Sequence, residues 1–120
     1  MTAVAEPDVL DLWDRCVREH ADDAALVTPD RVLTYRSVDR LTDAWAGSLA
    51  ARGAGPGHLV GLAFPDPGRT VLGMVAALKA GAGFTVLDER LPAAARDSLV
   101  RRTRAAVWLG DGGHVPATAY

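Results

Sequence analysis

Few residue patterns in this chain have the types and spacing to do chemistry, and the most conspicuous are glycine runs. Gly53-Ala54-Gly55-Pro56-Gly57 has the glycine density of a phosphate-cradling loop. Such a loop follows a strand, opens a helix whose free N–H groups face the phosphate, and ends in Gly-Lys-Ser/Thr. Here the run follows a helical pattern and lacks that ending, so it reads as a turn. Gly81-Ala82-Gly83 offers a Gly-x-Gly start, yet it precedes a strand-like run. The helix terminus that would hold a pyrophosphate is then missing, and helix exit with close packing accounts for it.

The ionisable candidates are scattered. His20, His58 and His114 stand far apart with no second ligand at metal spacing, so they read as surface positions and no metal is expected. Lys79, the only lysine, has the chemistry of a nucleophilic amine, but it ends a helical pattern directly before Ala80-Gly81, where a cation favours the helix dipole. Asp88 follows a buried-strand pattern at the position where open α/β sheets place ligands, and it equally suits a turn or helix entry. Cys16 falls on an apolar helical face, which implies a packed thiol and a reducing compartment. Trp13, Trp45 and Trp108 each continue the apolar pattern of their own segment and read as core residues rather than a ligand cage. No Ser-His-Asp order, carboxylate pair or cysteine cluster can be assembled.

The elements that must position these residues follow from periodicity. Asp8 caps a helix with apolar positions Val9, Leu10, Trp13, Cys16 and Val17, ending near His20. Ala24 to Thr28 and Val32 to Thr34 form a hairpin about Pro29-Asp30-Arg31. From Tyr35 to Arg52 the stripe Val38, Leu41, Trp45, Leu49 predicts a helix capped by Thr34 and ended by Gly53. Leu59 to Phe64 is a strand buried on both faces, and Asp66-Pro67 starts a helix to about Ala80. Gly83 to Leu87 is a strand, Pro92 opens a helix to about Thr103, and Ala105 to Leu109 closes with another strand. The alternation predicts an α/β fold, a short parallel sheet flanked by helices with an N-terminal β-hairpin. Residues 1–7 are expected to be a tail, 8–109 the module, and 110–120 a flexible tail.

Bulk properties suit one soluble unit: 120 residues, 49% hydrophobic, 23% charged, net charge −2. The arginines are dispersed, which argues against nucleic acid or an anionic membrane as partner. Met1 to Pro7 has no signal-peptide pattern, and Gly81 and Gly83 split the apolar stretch from Val71 to Leu87 into a helix and a strand, so a cytoplasmic location is expected.

Leu33-Thr34-Tyr35, the helix to Ala51-Arg52-Gly53 and then Gly55-Pro56-Gly57-His58-Leu59-Val60-Gly61 resemble the first core motif and following segment of nonribosomal-peptide adenylation domains. Leu78 to Asp88, with Lys79-Ala80-Gly81, is similar to the second core motif of that adenylate-forming, AMP-binding superfamily. The likeness runs from about Leu10 to Leu109. It implies that Leu33, Thr34, Tyr35, Gly53, Gly57, Lys79, Ala80, Gly81 and Asp88 are structural motif positions. It also implies that the groups handling ATP and magnesium lie further along such domains, so neither catalytic residue nor cofactor is expected in this chain alone. Three features depart from the family. Phe84-Thr85-Val86-Leu87-Asp88-Glu89 replaces an aromatic-Val-Pro-Leu-Asp-Pro run, and Arg96 replaces leucine while Arg101-Arg102 replaces an acidic pair. Arginine at a normally buried position must reach solvent or a partner, which makes Arg96, Arg101 and Arg102 candidate partner contacts.

Three functions follow as expectations. One is a truncated, noncatalytic adenylation-like module docking on a condensation domain, a carrier protein or the remainder of a synthetase. Another is the N-terminal fragment of an amino-acid-activating, AMP-forming ligase completed by other sequence. The third is a degenerate remnant. A recovered partner, amino-acid-dependent pyrophosphate exchange on mixing, or deletion without loss of product would separate them.

Overall fold

The computed structural model describes residues 8–88 and 90–110. The expected terminal tails, Glu89 and His114 lie outside the described residues, except Gly110. The length predicts one unit, whereas the backbone clusters into two, Met1–Arg40 and Leu41–Tyr120. The division falls inside one continuous helix.

In the first unit, α1 (Val9–His20) begins at a capping box: the Asp8 carboxylate accepts the Asp11 N–H at 2.9 Å, and Asp11 returns the contact to the Asp8 N–H at 3.4 Å. The expected buried face is incomplete. No α1 residue is fully buried, Cys16 is half-buried, and Val9 is 63% exposed. The hairpin pairs β1 (Ala24–Val27) antiparallel to β2 (Val32–Thr34), with a register shift between Ala24 and Leu26. Its turn closes through Thr28, whose hydroxyl donates to the Arg31 carbonyl at 3.0 Å and accepts the Arg31 N–H at 3.1 Å.

The helix α2 (Tyr35–Ala51) starts where Thr34 Oγ1 accepts the Ser37 N–H at 3.1 Å, the cap expected from the sequence. Two further N–H groups of its first turn, on Tyr35 and Arg36, donate to the carbonyls of Asp23 and Ala21. Trp13 anchors α1 beside it: the indole N–H donates to Asp39 at 2.8 Å and the ring lies 5.6 Å from that of Tyr35.

The second unit is built on a parallel sheet of order β4-β3-β5, from β3 (Leu59–Ala63), β4 (Gly83–Val86) and β5 (Val107–Gly110), joined by α3 (Pro67–Lys79) and α4 (Ala93–Thr103). β3 is central because both its faces are apolar and buried; Val60 pairs with Phe84 on one side and Val107 on the other. Two glycines permit close approach. A Cβ at Gly73 would meet Leu62 Cδ2 at 2.6 Å, so α3 lies close against β3 there and any larger residue would have to displace the Leu62 side chain. Gly61 faces the Trp108 indole in the same way, and Trp108 is 4% exposed. β5 spans Val107–Gly110, starting two residues later and ending one later than expected.

Candidate functional site

The parallel strands β3 and β4 end at one edge of the sheet, where the loops leading into α3 and toward α4 diverge. A cleft of about 490 Å³ opens there, with Phe64, Val71, Met74 and Val86 as its apolar walls and Asp66, Thr70, Asp88 and Arg90 as polar groups. This is the place where open α/β sheets bind ligands, and it is where the sequence put Asp88.

Each polar group of the cleft has a local partner. Asp66 is the N-cap of α3: one carboxylate oxygen accepts the Arg69 N–H at 3.0 Å and the other accepts Arg69 Nε at 2.7 Å. Thr70 Oγ1 donates to the Asp66 carbonyl at 3.0 Å. The Arg69 guanidinium lies 5.2 Å from the centre of the Phe64 ring, and that ring stacks with Trp45 at a centroid distance of 5.8 Å. Partial burial pushes the Asp66 carboxyl up, but the N–H, guanidinium and charge of Arg69 outweigh it and hold the group below its ordinary value. Asp88 accepts the Arg90 N–H at 2.9 Å and the guanidinium Nε and Nη2, one on each carboxylate oxygen, at 3.2 Å. The side-chain hydrogen bond from Arg90, its N–H and its charge lower the Asp88 pKa, and that same bond raises Arg90. Asp88 therefore closes a turn.

The glycine runs are helix exits. At the end of α3 the Gly81 N–H donates to Leu78 and the Ala82 N–H to Ala77, both at 3.0 Å, with Gly81 at φ 83°. At the end of α2 the Gly53 N–H donates to Ala50 and the Ala54 N–H to Leu49, both at 3.0 Å, with Gly53 at φ 94°. Both are the same left-handed C-terminal motif, and each tucks a buried alanine, Ala82 or Ala54, under the helix. Gly57, at φ 84°, turns the chain into β3 through the bond from the His58 N–H to the Gly55 carbonyl.

Lys79 sits in the last turn of α3, as its sequence position suggested, and its Nζ also donates to Asp43 of α2 at 2.7 Å. Leu33 and Thr34 end β2, Tyr35 opens α2, and Ala80 caps α3 with its N–H on the Ala76 carbonyl at 3.0 Å. Arg96 is half-buried and turns Nη1 back to the Leu91 carbonyl at 3.4 Å, while Arg101 and Arg102 are exposed in the last turn of α4. The structure brings Asp88 and Asp66 to one cleft and leaves the other motif positions in separate caps and turns. Asp43, Arg69 and Arg90 were missed as participants; only Arg69 had a readable signal, three residues after an N-cap aspartate.

The N-terminus of α3 lies at the cleft and carries the Asp66 carboxylate as its cap. Among the described residues, no group of three or more His, Cys, Asp or Glu is placed to hold a metal, and no helix is long and apolar enough to cross a membrane.

A profile of the AMP-binding enzyme family matches residues 13–118. Novobiocin biosynthesis protein H of Streptomyces niveus is 40% identical over 115 residues, which covers 88% of this chain and 19% of that protein. The nonribosomal peptide synthetase dtxS1 of Metarhizium robertsii is 46% identical over 81 residues, 68% of this chain and 1% of that protein. Among solved structures, the anthranilate CoA ligase AuaEII in complex with anthranoyl-AMP superposes with a TM-score of 0.81 at 26% identity, over 90% of this chain and 21% of that one. A four-domain nonribosomal peptide synthetase bound to AMP and glycine reaches 0.83 at 22% identity, over 97% and 9%, a likeness of fold. The chain thus spans about a fifth or less of these relatives. With the profile covering nearly its whole length and both core motifs in place, the chain belongs to the AMP-binding enzyme family, as a segment of an adenylation domain of the nonribosomal peptide synthetase type.

Proposed function

We propose that this chain is a noncatalytic scaffold and docking element of an adenylation domain in nonribosomal peptide biosynthesis. The groups that activate a carboxylic acid as its acyl adenylate would come from the remainder of the synthetase. One observation supports this most directly: the carboxylates and guanidinium at the cleft are engaged in the local pairs Asp66–Arg69 and Asp88–Arg90. Groups so engaged hold loops in shape, and nucleophilic or proton-transfer work requires a group left available to substrate. The docking partner in this reading is a condensation domain, a carrier protein or the rest of the adenylation domain, in the cytoplasm. The helix that carries the half-buried Arg96 and the exposed Arg101 and Arg102 is the proposed contact, with Arg101 and Arg102 offering their charges to solvent.

The test is ATP–pyrophosphate exchange across a panel of amino acids and aryl acids. The isolated chain is expected to give no exchange above background. Exchange by the isolated chain overturns the reading. The small share of each relative that the chain spans favours a second reading, in which it completes an AMP-forming ligase. Exchange appearing only on mixing with the remaining polypeptide, and lost when either is withheld, selects that reading.

A further inference from the structure

Lys79 is the only side-chain primary amine among the 120 residues. Its side chain is 11% exposed and its Nζ is held by Asp43 at 2.7 Å, whereas the Asp43 side chain is 64% exposed. An acyl adenylate is a mixed anhydride whose carbonyl carbon is attacked by a neutral amine. An ammonium in a charge-assisted hydrogen bond has no lone pair to offer, and the packed side chain has little room for an approaching acyl group. The contact with Asp43 therefore occupies the amine while its side chain stays packed.

We propose that Lys79 is a gated acylation site, slow in the folded chain and reactive toward acyl adenylates once its contact with Asp43 opens. The identity of the donor rests on the adenylation-domain reading above. In the reaction the ammonium gives one proton to water, and the nitrogen lone pair forms a bond to the carbonyl carbon. The bond from that carbon to the phosphate oxygen breaks with its electron pair leaving on AMP, and the second amine proton passes to water. The products are an amide and AMP. The amide has no charge for Asp43 or for the terminal carbonyls of α3, so acylation keeps the contact open. Adenylate that escapes the enzyme would thus leave a lasting mark at this one position.

The probe is chemically prepared acetyl-AMP, added to the purified 120-residue chain, with adducts located by peptide mass spectrometry. Lys79 is expected to react about tenfold more slowly in the folded chain than in the urea-unfolded chain, and Asp43→Ala is expected to recover about that factor, the weight of one charge-assisted hydrogen bond. Lys79→Arg removes the adduct. Equal rates at Lys79 in folded and unfolded wild type overturn the proposal whether or not the variant folds, as does an unchanged rate in a folded Asp43→Ala. Because the adenylate is supplied, these outcomes are independent of pyrophosphate exchange, which tests the adenylation reading alone.

Discussion

Replacing Gly61 by alanine is the sharpest test of how the sheet is packed. Gly61 lies in the central strand and pairs in register with Trp108 of β5. A Cβ built on Gly61 falls within 3.0 Å of three atoms of the Trp108 ring, and the indole is itself 4% exposed. A flexible side-chain end would swing away, whereas a buried ring flat against the strand must move as a body and displace its own neighbours. Overpacking of this kind costs about 1–3 kcal/mol, and the rigidity of the obstacle places Gly61→Ala at about 3 kcal/mol. A domain of ordinary stability, about 5–15 kcal/mol, would lose a large share of it. For a chain of this size that corresponds to a fall in Tm of about 10 °C. The assay is urea and thermal unfolding, read by tryptophan fluorescence and circular dichroism, on Gly61→Ala, Trp108→Leu and the double variant. If the indole is the obstacle, the cost of the alanine falls below about 1 kcal/mol in the Trp108→Leu background, a coupling well outside ordinary additivity. A Gly61→Ala chain within about 0.5 kcal/mol of wild type, or the same cost in both backgrounds, refutes the packing argument.

Asp66→Ala is expected to destabilise by about 1 kcal/mol at neutral pH through loss of the α3 cap, measured by urea unfolding. Because Arg69 lowers the folded-state pKa of Asp66, its contribution is complete above the ordinary value of 3.8 and is lost as pH falls through the depressed one. The gap between wild type and Asp66→Ala should therefore narrow below pH 3.8. Arg104 caps α4 in the left-handed conformation, at φ 51° and ψ 42°. Arg104→Gly is expected to raise stability by about 1 kcal/mol, while Arg104→Ala leaves the strain in place; a destabilised glycine variant in the same unfolding assay would contradict this.

The local signals in the sequence translated well because each acts within a few residues. Asp8, Thr34, Asp66-Pro67, Gly53 and Gly81 are caps or exits whose geometry is set by their own turn, and the structure has them where the spacing put them. What periodicity could not supply is which apolar face finds cover. The α1 stripe was read as buried, yet Val9 points to solvent, because an amphipathic pattern names a face without naming its neighbour. On α2 the same limit worked in reverse. The predicted stripe holds at Val38 and Leu49, but Thr42 is fully buried while Leu41 is only half-buried, so Thr42 takes the place expected of Leu41. At the cleft, Asp88 was legible as a strand-end aspartate, but its partner Arg90 was not. The pairing of Lys79 with Asp43 spans 36 positions and has no local signature at all. The family resemblance was carried by the two core motifs, of which the first joins the end of β2 to the start of α2 and the second is the exit of α3 with the strand β4 that follows it.

The strand order has a consequence for synthesis. β3, the middle strand, is made first, and its partners are registered 24 and 47 positions downstream, at Leu59↔Gly83 and Val60↔Val107. At about 5–20 residues per second, the apolar β3 waits on the order of 1–5 s for its first neighbour and about twice that for its second. During that interval its ladder groups are open to any extended segment nearby, including the β3 of another nascent chain. Slowing translation between Ala63 and Gly83 should therefore lower soluble yield while leaving the stability of the finished fold unchanged.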